Sequence, residues 1–152
     1  MKLFWTWKTF EQITALEMHD ILSLRQSVFI VEQNSPYQDA DELDKFAWHF
    51  IGRDPNDAIV GYGRIVFPRE GHNYPSIGRL LVAAEYRRCG LGSSILRHCI
   101  NKCNEEYSDK NVCIAAQSHL VDFYTRFGFE KISTPYDDAG VKHVDMLIQR
   151  KS

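Results

Sequence analysis

The chain has 152 residues, of which 44% are hydrophobic and 25% are charged, a composition typical of soluble globular proteins and not of disordered ones. This length suits one domain spanning residues 1–152, and the net charge of −2 argues against a nucleic-acid-binding surface. No apolar run approaches the roughly 18 residues that a membrane span needs. The first twelve residues also lack the apolar stretch of a secretory signal. We therefore expect a cytoplasmic protein without a membrane partner.

The cysteines give no disulfide or metal signature. None of the four forms a CxxC pair, and a chain of this length needs no disulfide to fold, so we expect reduced thiols. His98, Cys99 and Cys103 are close enough in sequence to approach one metal ion. However, Cys99 and Cys103 also fall on the apolar stripe of a predicted helix, and we therefore predict no metal site.

The N-terminal part predicts a strand and then a helix. Residues 2–7 are rich in aromatic residues, as strands often are. Thr14 and Glu17 have the spacing of a capping box, which predicts that a helix starts there and continues to about Val31. Its apolar positions, near helical spacing, are Leu16, Ile21, Leu24, Val28 and Val31. A polar loop follows.

The remaining elements alternate between strands and helices. Hydrophobic patterning predicts further strands at 46–52, 58–67, 77–82, 111–116, 129–136 and 141–149. Helical spacing of apolar residues predicts helices over 90–106 and 119–127. Because both hairpins and crossovers occur, we expect an α+β fold. Its central sheet would be mixed but mostly antiparallel, with six to seven strands flanked by about four helices.

Charges of opposite sign are concentrated in two segments. Residues 31–44 contain five acids and no Lys or Arg, a pattern that attracts a cation. Residues 79–97 contain the single acid Glu85 and four arginines, which are Arg79, Arg87, Arg88 and Arg97. This pattern attracts an anion.

The segment 87–92, Arg-Arg-Cys-Gly-Leu-Gly, lies between a predicted strand and a predicted helix. The first turn of a helix has backbone N–H groups without intrahelical partners, and glycines let an anion approach them closely. The two arginines add positive charge, so a phosphate site is expected here. The segment lacks the Lys-Ser/Thr of a nucleotide P-loop, and Ile95 replaces the third glycine of a dinucleotide fingerprint.

Two motifs carry a family resemblance. Arg87-x-x-Gly90-x-Gly92 resembles the pyrophosphate loop of the GNAT superfamily of acetyl-CoA-dependent N-acetyltransferases, and 117–129 resembles that family's following strand-to-helix segment. The segments 24–33, 36–41 and 137–146 are similar to the ElaA-like subgroup.

The resemblance implies a GNAT-like fold and direct attack of an amine on acetyl-CoA, with both substrates bound together. It implies that a bulge splays the strand 77–82 from 111–116, that the main chain of Leu80, Leu81 and Val82 binds the pantetheine arm, and that an amide N–H near Val82 polarises the thioester. The pyrophosphate would lie against residues 87–93: Arg87, Arg88, Cys89, Gly90, Leu91, Gly92 and Ser93. Tyr124 matches the tyrosine that protonates the departing thiolate. Gln117 stands where many relatives have an asparagine that contacts pantetheine.

The general base is less well defined. Glu32 is our choice because it follows the first helix at the start of the acidic segment, although a water chain is an alternative. Tyr37 and Asp39 are expected to bind an ammonium, the first through its ring and the second through its carboxylate. His143 is expected to line the entrance of the acceptor site, whereas His49 is expected to be a structural histidine of a strand with satisfied hydrogen bonds. Asp41, Asp44 and His72 are further candidates.

The sequence is compatible with two other functions. A non-catalytic acyl-CoA-binding regulatory module would use residues 87–92 equally well, and another phosphate-bearing ligand such as a nucleotide is a third interpretation. An exposed final strand is compatible with a homodimer. The acceptor amine is not identified by the sequence.

Overall fold

The computed structural model describes residues 2–150; Met1, Lys151 and Ser152 of the predicted domain lie outside the described residues. The strands are β1 (Phe4–Thr9), β2 (Ala47–Arg53), β3 (Ile59–Val66), β4 (Ser76–Val82), β5 (Val112–Gln117), β6 (Glu130–Lys131), β7 (Tyr136–Asp138) and β8 (Val141–Ile148). The α-helices are α1 (Ala15–Arg25), α2 (Leu91–Glu106) and α3 (Val121–Thr125), and a π-helical segment (Gln26–Glu32) continues α1. Within residues 2–150, no helix is both long and apolar enough to cross a membrane.

All eight strands form one sheet in the order β1-β2-β3-β4-β5-β8-β6, with β7 also paired to β8. Every pairing is antiparallel except that of β4 with β5. This confirms the predicted α+β class with a mixed, mostly antiparallel sheet. The strand count is eight because the arm predicted at 129–136 is interrupted and forms both β6 and β7.

The sheet is split between β4 and β5. The parallel pairing covers only Ser76 with Cys113 and Ile77 with Ile114, after which the strands diverge. On its other side, β4 shifts register against β3 opposite Gly63, and Arg79 at this point has a φ of +53°. A bulge of this kind bends a strand away from its neighbour. The predicted bulge and splay are therefore both present.

The first helix differs from its predicted pattern. Thr14 caps α1 by accepting a hydrogen bond from the Glu17 N–H at 3.1 Å, but the Glu17 carboxylate binds Lys8 and Arg53. Leu16 and Val31 are exposed, whereas the buried face includes Ile21, Arg25 and Phe29. The predicted stripe was wrong at both of its ends because the inward face runs through Glu17, Ile21, Arg25 and Phe29, two of which are charged and do not count in an apolar pattern.

Two hydrophobic clusters position the cleft between β4 and β5. The larger cluster contains Ile95, Leu96, Cys99 and Cys103 of α2, as the apolar stripe predicted, together with residues of β5 and β8. The smaller contains Ile21 of α1, residues of the adjoining π-helical segment and residues of β2, β3 and β4. Each fully buried aliphatic side chain contributes about 1.5–3 kcal/mol, so the frame around the cleft is held by core packing.

Candidate functional site

Two connected cavities follow the divergence of β4 and β5. The first, called the cleft here, lies between these strands and the π-helical segment and has a volume of about 410 Å³. The second, called the α2 cavity, adjoins the start of α2 and has a volume of about 520 Å³. Both are lined by residues 80–82, Arg87 and Tyr124. Most of the predicted coenzyme-binding residues therefore line one continuous space.

The start of α2 presents free backbone donors to the α2 cavity. Arg88 and Gly90 have φ values of +66° and +78°, which turn the chain sharply before the helix begins at Leu91. Among residues 2–150, no side chain caps this helix, and its first backbone bond runs from the Ser94 N–H to the Gly90 carbonyl. The three preceding N–H groups therefore have no intrahelical acceptor. A Cβ at Gly92 would meet no atom within 4 Å, so the space in front of these donors is open.

Residues 87–93 do not all contribute in the same way. Arg88 and Cys89 are exposed, and Cys89 directs its thiol toward the Arg87 carbonyl at 3.5 Å. Leu91 lines the α2 cavity beside Gly90 and Gly92. Ser93 lies in the first helical turn but is not part of the cavity wall.

Arg87 bridges the two walls of the cleft. Its Nε donates to the Val82 carbonyl at 3.0 Å, and its guanidinium binds both carboxylate oxygens of Glu32, one of them at 2.9 Å. Glu32 ends the π-helical segment, so this pair connects that segment to the end of β4. The hydrogen bond from Arg87 lowers the pKa of Glu32, and a lower pKa makes this carboxylate a weaker proton acceptor.

The main chain of β4 directs hydrogen-bonding groups into the cleft. The Ala83 N–H donates to the Val60 carbonyl of β3 at 2.8 Å. Because successive residues of a strand direct their backbone groups to opposite sides, the N–H and carbonyl of Val82 point away from β3, toward the cleft. The contact of the Val82 carbonyl with Arg87 agrees with this direction.

Tyr124 lies on α3, where the cleft meets the α2 cavity. Its ring packs edge-on against Phe123 and Phe129, with centroid distances of 5.2 and 6.0 Å. No described residue hydrogen-bonds its hydroxyl. Burial raises the pKa of Tyr124 to about 12, so the phenol keeps its proton at neutral pH. The position predicted for a proton donor is therefore occupied by a protonated hydroxyl beside the cavity.

The acidic segment 31–44 is already neutralised by basic side chains. Three of its aspartates each contact two arginines, forming a network of Asp39, Asp41, Asp44, Arg25, Arg64 and Arg79. The other two acids, Glu42 and Glu32, pair with Lys45 and Arg87. The expectation that this segment attracts a cation is corrected, because its carboxylates are already paired with basic side chains of the protein itself.

Asp39 illustrates this correction. It is only 7% exposed, and its two oxygens lie 2.8 Å from Arg25 Nε and 2.8 Å from Arg79 Nε. It lines neither the cleft nor the α2 cavity. Its carboxylate is therefore not presented to an ammonium, and its role is to fix the loop against β4. Tyr37 does line the cleft, donates to Asp39 at 3.2 Å, and has the Arg79 guanidinium 5.8 Å from its ring centroid.

His143 and Gln117 lie side by side on the opposite wall. They face each other across β8 and β5, and Tyr136 of β7 is the next residue in the same row. Gln117 Nε2 donates to Gln33 at 3.4 Å. Gln33, Gln117 and His143 also border a smaller polar cavity of about 260 Å³ that adjoins the cleft. Gln117 therefore lies at the junction of these spaces.

His49 has the structural role that its strand position indicated. It is fully buried, with Nε2 2.9 Å from the Asp44 carbonyl and Nδ1 2.6 Å from the Tyr62 hydroxyl. Burial lowers the pKa of His49, which keeps the ring neutral. Asp44 is likewise buried, and Asp41 and Asp44 belong to the arginine network, so neither is available as a base.

Sequence reasoning missed several residues that shape the cleft. Arg79 ties the bulge of β4 to the acidic loop, and the signal was an arginine inside the aliphatic run 77–82. Asp138 and His119 also line the cleft. Asp138 belongs to an Asp-Asp-Ala-Gly turn, a sequence that predicts a hairpin but no functional site. His119 precedes α3, and no sequence motif marks it.

The geometry agrees with a comparison against known families. The sequence profile described as "Acetyltransferase (GNAT) domain" matches residues 13–150. The chain belongs to the GNAT acetyltransferase family.

Relatives of this GNAT protein place it in the ElaA-like subgroup. It is 34% identical to Protein ElaA of Escherichia coli over 137 residues, covering 89% of each chain. It is 43% identical to a UPF0039 protein of Synechocystis over 149 residues, covering 98% and 97% of the two chains. The predicted family and subgroup are thus confirmed.

Solved structures confirm the predicted fold. The crystal structure of Escherichia coli ElaA superposes with a TM-score of 0.90 at 31% identity, covering 97% of this chain and all of the other. A Pseudomonas aeruginosa protein described as an acyl-CoA N-acyltransferase has a TM-score of 0.93 at 29% identity, with the same coverage.

Proposed function

We propose that this protein transfers an acetyl group from acetyl-CoA to a primary amine of a small molecule or peptide, by direct attack while both substrates are bound. The observation that carries this proposal is the uncapped start of α2, which opens into a cavity shared with the split edge of β4 and with Tyr124. Family membership supports acyl transfer in general, and these features support acetyl-CoA as the donor.

The residues present fit a bound coenzyme. The free N–H groups at the start of α2, with positive charge from Arg88, would hold the pyrophosphate, and the open space at Gly92 would admit it. Arg87 would join them after leaving Glu32. The main-chain groups of residues 80–82 that face the cleft would pair with the amide-containing arm as an added strand would. Gln117 lines the cleft from β5, where it would meet the same arm.

Acetyl-CoA supplies an activated thioester, and the chain supplies positioning and protons. In this proposal the Val82 N–H polarises the thioester carbonyl. The Tyr124 hydroxyl hydrogen-bonds the departing sulfur and donates its proton to it. Burial raises the pKa of Tyr124. The same burial would raise the pKa of a thiol that leaves into this space, so the difference between the pKa of the phenol and that of the thiol stays small.

Acceptor binding is proposed for the cleft side. Tyr37 lines this wall. The Arg79 guanidinium lies near one face of its ring, so an ammonium would contact the other face. Glu32 as the general base stays a prediction. It requires that the phosphates of the coenzyme draw Arg87 away from the Glu32 carboxylate.

Turnover and the role of Tyr124 are tested together. Purified protein is mixed with acetyl-CoA and a panel of amines containing spermidine, lysine, tyramine and a short peptide, and thiol release is followed. We expect amine-dependent release, with kcat lowered about 10²-fold in Tyr124→Phe while the Kd for coenzyme A stays within about twofold.

Tyr74→Phe is the matched control, because Tyr74 is exposed and lines neither cavity. Full turnover in Tyr124→Phe with a substrate whose chemistry limits the rate contradicts the acid assignment. Coenzyme binding without turnover for any amine would instead favour the non-catalytic acyl-CoA-binding module.

A further inference from the structure

The hydrogen bond of His143 fixes the tautomer of its neutral ring. Its Nδ1 lies 2.8 Å from the Val141 carbonyl oxygen. A carbonyl oxygen only accepts hydrogen bonds, so Nδ1 carries the proton and donates it. In the neutral ring, Nε2 therefore has a free lone pair. No described residue hydrogen-bonds this second nitrogen, whereas both nitrogens of His49 have partners.

His143 lies at the cleft side, where acceptor binding is proposed. The residue is partly buried and lines both the cleft and the adjoining polar cavity. The Tyr136 ring stacks on its imidazole with a centroid distance of 6.1 Å and an interplanar angle of 25°. Stacking and the Nδ1 hydrogen bond together hold the ring in one orientation.

Glu32 lacks these properties. Both of its oxygens are bound by Arg87, and its pKa is lowered by that contact. Its side chain is also about half exposed to solvent. Of the two groups, His143 is the one with an unoccupied proton-accepting atom beside the cavity.

We propose that His143 is the general base of this enzyme and accepts the proton of the acceptor amine at Nε2; this inference rests on the proposed function. Nε2 takes one proton from the ammonium and passes it to solvent, leaving a neutral amine. The nitrogen–carbon bond to the acetyl group then forms and the carbon–sulfur bond breaks. The sulfur takes its proton from Tyr124, and the second proton lost by nitrogen restores the phenol through solvent.

Several charged or titratable groups surround this site and enter its pH dependence. Tyr136 of β7 stacks on the His143 ring. Asp138 of β7, Arg79 of β4 and Tyr37 of the acidic segment line the same cavities as His143. Glu32, Arg87 and His119 line the cleft. Tyr136 donates to Asp145 at 2.5 Å, and Arg79 is paired with two aspartates. Asp138 has no ion-pair partner among residues 2–150, so its negative charge favours the approach of an ammonium.

The test compares pH profiles of kcat/KM for His143→Gln, Glu32→Gln and His98→Gln. His98 is the matched control because its Nδ1 also donates to a backbone carbonyl, that of Ser94 at 2.7 Å, but it lines neither cavity. We expect His143→Gln to lower kcat/KM by about 10²-fold or more and to remove one ionisation from the acidic side of the profile. His98→Gln should keep the wild-type profile, and Glu32→Gln should keep that ionisation. Imidazole added to His143→Gly should restore part of the rate.

The outcomes separate this inference from the proposed function. A His143→Gln profile that keeps the ionisation, with kcat/KM within about threefold of wild type, overturns the base assignment alone. Loss of the ionisation in Glu32→Gln also overturns it and assigns the base to Glu32. Absence of amine-dependent thiol release in the wild-type protein overturns the proposed function and this inference with it. Coenzyme binding by His143→Gln, measured by calorimetry, shows that the variant is folded.

Discussion

A side chain at Gly92 should block coenzyme binding without disturbing the fold. It lies in the first turn of α2, and a Cβ there would meet no atom of the protein within 4 Å. Valine is also a better helix former than glycine. We therefore expect Gly92→Val to keep or slightly raise the Tm while weakening coenzyme A binding at least about tenfold, or about 1.4 kcal/mol, since the new side chain fills the phosphate space.

Calorimetry with coenzyme A and thermal unfolding of the same preparation check this expectation. Asn101→Val, at an exposed position of the same helix outside both cavities, is the control and should bind normally. Wild-type affinity in Gly92→Val would mean that the phosphates lie elsewhere. Gly90 is a poorer site for this test because its φ of +78° strains any side chain.

At this scale, the sequence predicts residues whose role depends on local backbone and fails where partners are distant. Thr14 caps its own helix and Gly90 turns the chain before α2, and the sequence placed both at a helix start. Asp39 was misassigned because its partner Arg25 lies 14 positions away and Arg79 lies 40 positions away. Only the tertiary fold brings these charges together.

The π-helical segment is the element that the sequence did not reveal. Its residues continue α1 in pattern, but the wider turn places Val28, Phe29 and Glu32 along the cleft wall. Segments of this kind are frequent at functional sites. Helical spacing predicts that residues 26–32 are helical but cannot separate a π turn from an α turn, because the difference is less than one residue per turn.

The pair between this segment and the loop before α2 should compete with coenzyme binding. Arg87 is held by Glu32, and both side chains are partly exposed, so the pair contributes at most about 1 kcal/mol. We expect Glu32→Gln to release Arg87 and to raise the affinity for coenzyme A by up to about fivefold.

Calorimetry at low and high ionic strength measures this effect, which should shrink as salt screens the pair. Glu42→Gln removes an exposed acid of the acidic segment 31–44, whose one ion-pair partner among residues 2–150 is Lys45, and it should leave the affinity unchanged. Weaker binding in Glu32→Gln would show that Glu32 supports coenzyme binding and does not oppose it.

Across the whole molecule, the arginine–aspartate network makes stability depend on acid pH. Burial alone would raise the pKa of Asp44, but its contacts with Arg25 and Arg64 outweigh burial and lower it. A carboxyl group with a lowered pKa in the folded state stabilises the fold above its unfolded pKa of about 4, and this contribution is lost as the pH falls through the folded value. The lowered pKa of buried His49 adds an earlier loss, which begins as the pH falls through about 6.5.

Urea unfolding at a series of pH values checks this sign. We expect the free energy of unfolding to fall gradually below about pH 6.5 and more steeply below about pH 4. Asp44→Asn should cost about 3–5 kcal/mol at pH 7, because it leaves Arg25 and Arg64 buried with less compensation. Glu42→Gln should change the free energy of unfolding by less than about 0.5 kcal/mol. Equal, small effects of both substitutions would contradict the network's role.

The short parallel pairing of β4 with β5 has a mechanical consequence. Only two residues on each strand join the half-sheet β1–β4 to the half-sheet β5–β8, so the two halves meet along a short hinge. Beyond it, no ladder of hydrogen bonds sets the distance between them, and the side chains packed underneath set it instead. Side-chain packing between the two half-sheets, and not strand pairing, therefore sets the width of the cleft beyond these two positions.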